Sequence, residues 1–269
     1  YKATKQDWII GANFMSDHFK EMSQMVANPK DYQFNTWGIF IQNTWQASEK
    51  VSIETGLRGD YVKQFGFELL PRIALMLKAN SQFTFRLGGG IGYKTPTVFN
   101  EEAEKLHFRF IRPIDQLIAT NERSIGGNFD INFRTRIGEI GLTLNHLFFY
   151  TRLNSPLVLV NSGTSSSFVN ANGFISTKGM ETNMRLSYND FKLFIGYTYA
   201  DVNTHFNNVK NWSPLTSKHR VNNVLMYEKE GKFKIGAEAY FFSPQQLNDG
   251  ALGKSYWIFG LMAEKIWNN

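Results

Sequence analysis

Residues 83–94 read FTFRLGGGIGYK, and the parity of this stretch decides how the rest of the chain is read. Phe83, Phe85, Leu87, Ile91 and Tyr93 fall on one face of an extended strand, and Thr84, Arg86, Gly88, Gly90, Gly92 and Lys94 on the other. A glycine cluster followed by Lys-Thr also invites a phosphate-loop reading, which the spacing rejects. Tyr93 separates Gly92 from Lys94, so no G-x-x-x-x-G-K-[ST] forms, and a G-x-G-x-x-G counted from Gly88 ends on Tyr93. Pro96 imposes an extended approach where both motifs would open a helix. Gly88, Gly90 and Gly92 therefore lie on the polar face, where a missing side chain lets another backbone approach or the strand bend.

The same alternation recurs outward from this stretch. In VSIETGLRGDY, Val51, Ile53, Leu57 and Tyr61 oppose Ser52, Glu54, Arg58 and Asp60. Ile73, Leu75 and Leu77 alternate with Arg72 and Lys78, Phe129, Ile131 and Phe133 with Asp130, Asn132, Arg134 and Arg136, and Met184, Leu186 and Tyr188 with Arg185 and Ser187. Marking every such run predicts about twelve strands, near 8–14, 34–46, 50–61, 69–79, 82–93, 123–136, 139–153, 173–188, 191–203, 217–228, 232–243 and 254–267. Short turns at 47–50, 80–82, 137–139, 189–190 and 229–232 alternate with longer loops at 15–33, 62–68, 94–122, 154–172, 204–216 and 244–253.

Long strands with tight turns at one end and long loops at the other predict an all-β fold, an antiparallel transmembrane up-and-down β-barrel in the outer membrane. A strand of about 12 residues, tilted ~40°, rises roughly 30 Å and crosses a ~25 Å apolar band. Trp37, Trp45, Tyr61, Tyr93, Tyr150, Tyr188, Tyr227 and Trp267 fall near strand ends, as two interfacial girdles require. His146 is the misfit: it is in register with Leu142, Leu144 and Phe148, which points it at lipid unless a bulge or register slip intervenes. A soluble all-β sandwich is the alternative, with shorter strands and unsorted loops.

Composition agrees. The mean hydropathy is −0.32 and no run approaches 18 consecutive apolar residues, which excludes a spanning helix. The 269 residues include no cysteine, so disulfide frameworks and thiolate metal sites are excluded. The net charge of +6 is scattered singly along alternating segments, without the clustering a nucleic-acid face needs. The chain opens at Tyr1 without an initiator Met or a leader, which is read as a removed signal peptide or an internal piece of a longer protein.

One family carries this pattern. PRIALMLKANSQFTFRLGGGIGYKTPTVFNE at 71–101 resembles the barrel signature of TonB-dependent outer-membrane receptors, with its Pro-Arg strand, short turn, Leu-Arg strand and aromatic-basic-x-Pro step into a long external loop. GLRGDY at 56–61, NGFISTKGMETNMRLSY at 172–188 with Gly179 and Glu181 at its centre, and LTSKHRVNNVLMYE at 215–228 agree, although Thr216 or Ser217 stands where the family commonly has Pro. The resemblance covers roughly residues 50–269. It implies a middle-to-late part of the barrel, residues 1–269 forming a partial barrel domain without plug or terminal strand. It also implies energy-coupled uptake of a scarce nutrient (siderophore, haem, cobalamin, metal chelate or oligosaccharide), with outer-membrane lipid, a plug domain, the TonB complex and a small nutrient as partners, and it makes Gly88, Gly90 and Gly92 lumen-facing, plug-facing positions.

No cofactor is expected, and no enzyme: the five histidines are scattered, and only His18 has Ser16 and Asp17 beside it, within one loop. A passive porin is the alternative function, with lumenal Arg58, Asp60, Arg86, Lys94, Arg134, Arg136 and Arg185 as its constriction. Candidate ligand contacts are Arg58 and Asp60 at the external end of their strand, Lys94, then Glu101, Glu102, His107 and Arg109 in the 94–122 loop, and Glu181 and Arg185. For Arg58, Asp60, Lys94, Glu181 and Arg185, pairing with a neighbour or the plug is the leading reading; for the 94–122 loop a solvated lid is an equal one. Met15, His18, Met22 and Met25 form a weak soft-metal set suited to Cu(I) or haem.

Overall fold

The computed structural model describes residues 5–22 and 29–267. Twelve strands follow one another around a single antiparallel wall: β1 (Lys5–Phe19), β2 (Tyr32–Gln46), β3 (Val51–Val62), β4 (Gly66–Lys78), β5 (Phe83–Lys94), β6 (Glu122–Ile137), β7 (Ile140–Asn154), β10 (Gly173–Tyr188), β11 (Phe191–Phe206), β13 (His219–Lys229), β14 (Phe233–Phe242) and β15 (Tyr256–Lys265). Three shorter strands lie at the loop end. They are β8 (Leu157–Ser162) and β9 (Ser165–Asn170), which form a hairpin of their own, and β12 (Val209–Trp212), which extends β11. The helix α1 (Glu101–Lys105) is capped by Asn100, whose side chain accepts from the Ala103 amide.

The ladders sort the side chains as the alternation predicts. Ile53 opposes Leu75, Leu75 opposes Leu87, Leu87 opposes Phe129, and Phe129 opposes Phe148, one continuous apolar row across five strands. These outward side chains are not covered by protein: Ile10 is 74 % and Leu261 90 % exposed. Among the described residues, apart from Pro96 and Pro156, just seven apolar side chains are buried, namely Phe34, Val62, Val98, Ala103, Ile111, Phe168 and Ala200. A soluble sandwich of this length would bury its Phe, Ile and Leu faces against each other. This wall instead presents them to a surrounding apolar medium, and the soluble alternative falls.

Turn chemistry closes the short ends. Gly138 lies at φ +60°, Asn189 at φ 48° and Gly231 at φ +69°, the left-handed conformations that tight hairpins need. Phe191, Tyr227 and Phe233 meet in successive ring contacts of 4.8 and 5.7 Å at this end, and Phe14, Trp37 and Tyr61 meet at 5.5 and 6.1 Å toward the other. These are the two aromatic belts.

Several expectations are corrected. β1 runs on to Phe19, so residues 15–19 are strand and not loop. The expected loop at 62–68 is a tight turn at 63–65, entered from Val62 and left through Gly66 at φ +87°. The 204–216 segment holds a hairpin, with Asn207 and Asn208 both left-handed between β11 and β12. His146 needs neither bulge nor slip. Its ladder is regular, it faces outward opposite Thr182, and its Nδ1 lies 2.7 Å from the Thr182 hydroxyl. A polar side chain on an apolar face is tolerated when it finds a hydrogen-bond partner there.

The loops 94–122 and 154–172 fold together. Val98, Ala103, Ile111 and Phe168 form a small core of their own, flanked by Phe108, Ile114, Leu157 and Leu159. Residues 110–112 add to β9 through Ser166 N–H donating to Phe110 O (2.7 Å) and Arg112 N–H donating to Ser166 O (2.8 Å). The result is a compact cap at the loop end, and a hydrogen-bonded β8–β9 hairpin where loop was expected.

Candidate ligand-binding mouth

The β4–β5 ladder runs from Lys78 opposite Thr84 up to Arg72 opposite Gly90, while β3–β4 and β5–β6 each continue to the loop end. Two hairpins thus part at the mouth, and polar side chains fill the gap. Arg58 Nε donates to both Asp60 oxygens (2.8 and 3.0 Å), and the Tyr93 hydroxyl donates to Asp60 Oδ2 (3.0 Å). Glu68, directly opposite Asp60, accepts from Arg123 Nε (2.9 Å) and Nη2 (3.1 Å) and from Asn121 Nδ2 (2.8 Å). Glu122 accepts from the Leu157 amide (2.7 Å) and pairs with Lys94 at 3.8 Å.

Burial divides the charges by sign. Asp60, Glu68 and Glu122 are 2, 4 and 6 % exposed. The side chains of Arg58, Arg123 and Lys94 are 38, 61 and 61 % exposed. Buried carboxylates demand such partners, because an uncompensated buried charge is costly. The solvent-facing side of the cluster is consequently cationic. Gly38 makes room for it: a Cβ there would sit 2.4 Å from both Asp60 Oδ1 and Asn13 Oδ1 and 3.2 Å from Arg58 Nη2.

Beside the ion pairs runs an aromatic row on the inward side. Phe19, Tyr32 and Phe34 stack in turn at 5.9 and 4.6 Å, Phe65 meets Phe34 edge-on at 5.4 Å, and Phe99 descends from the cap onto Phe19 at 4.7 Å. The cap segment arrives with Pro96 fully buried and Val98 at 2 % exposure, so it is seated on the mouth. His107, Phe108 and Phe110 hold left-handed backbone conformations just beyond α1, an uncommon state for non-glycine residues that the cap core maintains.

Of the sequence-predicted residues, Arg58, Asp60 and Lys94 join this cluster. Glu101 pairs with Lys105 one turn along α1, and Glu102 accepts from the Leu159 amide, so both serve the cap. His107 and Arg109 lie exposed in the left-handed stretch. Glu181 accepts from Asn183 deeper along β10, and Arg185 lies over the Phe194 ring 5.4 Å away near the turn end, so neither meets the mouth. Gly88, Gly90 and Gly92 share the inward parity, but their own neighbours already crowd them. A Cβ at Gly88 would come within 3.1 Å of Asn128 Oδ1, at Gly90 within 3.1 Å of Pro71 O, and at Gly92 within 2.9 Å of Ser124 Oγ. The soft-metal set is not assembled. Met15 and His18 lie on opposite faces of β1, Met22 is 93 % exposed, and Met25 lies outside the described residues.

Glu68, Tyr93, Asn121, Glu122 and Arg123 were missed as site residues. Glu68 and Glu122 fell inside expected loops, and Tyr93 was expected in the outer girdle. Tyr93 and Arg123 carry outward parity and reach the cluster because the neighbouring ladder stops short. The available signal was the density of charge at strand ends, with GFE at 66–68 and NER at 121–123.

Comparison with known proteins gives consistent results. The family model described as TonB dependent receptor-like, beta-barrel, matches residues 4–267. No curated protein matches by sequence. Among solved structures, a ferric enterobactin receptor variant from Pseudomonas aeruginosa bound to enterobactin superposes with a TM-score of 0.76 at 13 % identity, covering 100 % of this chain and 45 % of that one. The siderophore receptor PirA from Acinetobacter baumannii gives 0.74 at 15 % identity, covering 98 % and 46 %. The FrpB iron transporter from Neisseria meningitidis gives 0.72 at 14 % identity, covering 98 % and 46 %. The chain thus spans less than half the length of these structures.

Proposed function

The chain belongs to the TonB-dependent receptor-like β-barrel family, and from that premise we propose that it forms part of the wall and mouth of a receptor taking up a ferric siderophore. The family is one of outer-membrane receptors and transporters, which favours a gated receptor over a passive porin and over an enzyme. In this reading uptake is energised through TonB and a plug domain, with residues 1–269 as a partial barrel domain. Haem, cobalamin, other metal chelates and oligosaccharides remain competing ligands for the same architecture.

The observation that carries the siderophore reading is the pairing of cations with rings at the mouth. Arg58, Lys94 and Arg123 turn partly exposed charge outward over buried carboxylates, next to the Phe19–Tyr32–Phe34–Phe99 row. An anionic chelate with planar ligand groups takes both, charge on the cations and faces on the rings. Solved structures of the same fold are named for ferric enterobactin and siderophores, which supports the class.

The test is uptake of radiolabelled iron by a strain deleted for the gene and complemented with the full-length receptor. Uptake of iron from at least one ferric siderophore, abolished by removing TonB and weakened severalfold by Arg58→Ala with Lys94→Ala, is the expected result. Unimpaired iron uptake in the deletion strain from every siderophore offered overturns the reading.

A further inference from the structure

At its loop end the outward face of β7, β10, β11 and β12, joined by Lys218 just before β13, carries cations, where the outward rows of β1 to β5 carry no Lys or Arg. We infer that this patch, built on Arg152, Lys178, Lys210 and Lys218, binds the phosphate of an outer-leaflet lipid headgroup. The inference rests on the barrel lying in the outer membrane and is independent of the nutrient the receptor takes up.

Register places the patch. Along β10 the outward side reads Tyr188, Leu186, Met184, Thr182, Met180 and Lys178, ending beside Tyr150 of β7 and Asp201 of β11. Ten residues separate Tyr188 in the turn-end belt from Lys178, a rise of about 25 Å at a tilt of ~40°. That is the height of the apolar band, so Lys178 sits at the upper headgroup level. Long loops mark the external end of such barrels, so the leaflet in question is the outer one.

The side chains are arranged as a surface with spare positive charge. Lys178 and Lys218 share a single carboxylate, Asp201, at 3.9 and 3.5 Å, with Lys218 also 4.8 Å over the Trp212 ring. Arg152 lies 3.7 Å over Phe174 and gives its Nε–H to Asn154, while its two terminal nitrogens have no partner among the described residues. Lys210, opposite His205, has none either. Phe174 stacks on His205 at 4.3 Å, and His205 Nε2 lies 3.1 Å from the Ser176 hydroxyl. Four cations against one carboxylate leave a net attraction for anions.

The contrast with the other side of the wall makes the patch specific. In the outward rows of β1 to β6 the one Lys or Arg is Arg123, and its guanidinium is held by Glu68. A general need for positive charge at the headgroup level would have placed cations around the whole wall. Lipid phosphate satisfies both the depth and the charge, since basic side chains gain most within reach of an anionic lipid surface.

The test uses the full-length receptor in nanodiscs of phosphatidylcholine, with a minor fraction of fluorescent bisphosphorylated lipid A or its dephosphorylated form, read by energy transfer from the protein. The expected result is enrichment of the phosphorylated lipid around the wild type. R152Q/K178Q/K218Q should lose that enrichment by at least about tenfold, given the gain per cation at such a surface, while K178R/K218R should keep it. Equal enrichment of the two lipids around the wild type overturns the inference, as does full retention by the triple variant. Displacement by millimolar inorganic phosphate without any lipid preference also overturns it, assigning a simple phosphate site. Should the triple variant fail to fold by heat-modifiable gel mobility, the wild-type comparison and K178Q alone decide the matter.

Discussion

Along β1 to β4 the outward side reads Trp8, Ile10, Ala12 and Phe14, then Trp37, Ile39 and Ile41, then Leu57 and Tyr61, then Phe67, Leu69, Ile73, Leu75 and Leu77, with no charge from end to end. Along β10 and β11 the same side begins with Leu186, Met184, Leu193 and Ile195, then passes through Thr182 and Tyr197 to Lys178, Asp201 and His205. The two regions share one ladder geometry and one parity rule. They differ in where charge is stored. The first region pairs Asp60 and Glu68 within the mouth, behind its own Arg58 and Arg123 of β6, and keeps its outer wall apolar; the second displays its cations on the outside. A barrel wall therefore has two independent choices at the loop end, and this chain makes both.

The largest predicted effect tests whether the first region is a lipid face. Ile73→Arg, near the middle of that face, should cost about 2–4 kcal/mol of barrel stability in vesicles, measured by denaturant titration. Lys178→Leu on the second region should change it by less than about 1 kcal/mol. Comparable losses for the two would erase the distinction between the regions.

Next comes the hidden charge of the mouth. Asp60→Asn leaves Arg58 without its anion and should destabilise by about 1–3 kcal/mol, with the exposed side of Arg58 softening the loss. Tyr93→Phe should cost about 1 kcal/mol through the same carboxylate. Hydrogen exchange at the ends of β3 and β5 locates the effect, and unchanged protection there in both variants would separate the hairpins from the cluster.

On the second region, His146→Leu strands the Thr182 hydroxyl on an apolar face and should cost about 1–2 kcal/mol. Adding Thr182→Val should recover most of it, because an apolar pair of similar shape no longer needs a partner there. An additive double variant would mean that the two side chains do not interact.

The smallest effect lies in the loop after β1. Lys30 donates to Glu21 from both its ammonium (2.6 Å) and its amide (2.9 Å), and these bonds hold the Glu21 carboxyl below its ordinary value. A depressed carboxylate contributes stability above its unfolded pKa and loses it as pH falls through the folded value. Glu21→Gln should therefore weaken protection of the Lys30 amide equally at pH 7 and pH 5, and the difference from wild type should fade on acidification below about pH 4. A difference that grows on acidification would contradict the clasp.

Much of the wall was legible from the chain because alternation is a local property. Leu75, Leu87 and Phe129 are read outward, and Arg86 and Asp130 inward, from parity alone, and the ladders agree. The cap was not legible, since its core joins Val98 and Ala103 to Phe168 across some 65 intervening residues that carry no shared period. Tyr93 shows the limit within a strand. Parity places it on lipid, yet the end of the β4–β5 ladder at Gly90 frees it to reach Asp60.

The strands, their two faces and the sorting of loops by end follow from the order of residues alone, because an extended backbone sends successive side chains to opposite sides whatever its neighbours do. The tertiary structure alone decided which charges meet. Glu68 finds Arg123, and Lys178 finds Asp201, through the places where ladders stop and the shift each strand takes against the next. Those are properties of paired strands, and no single segment contains them.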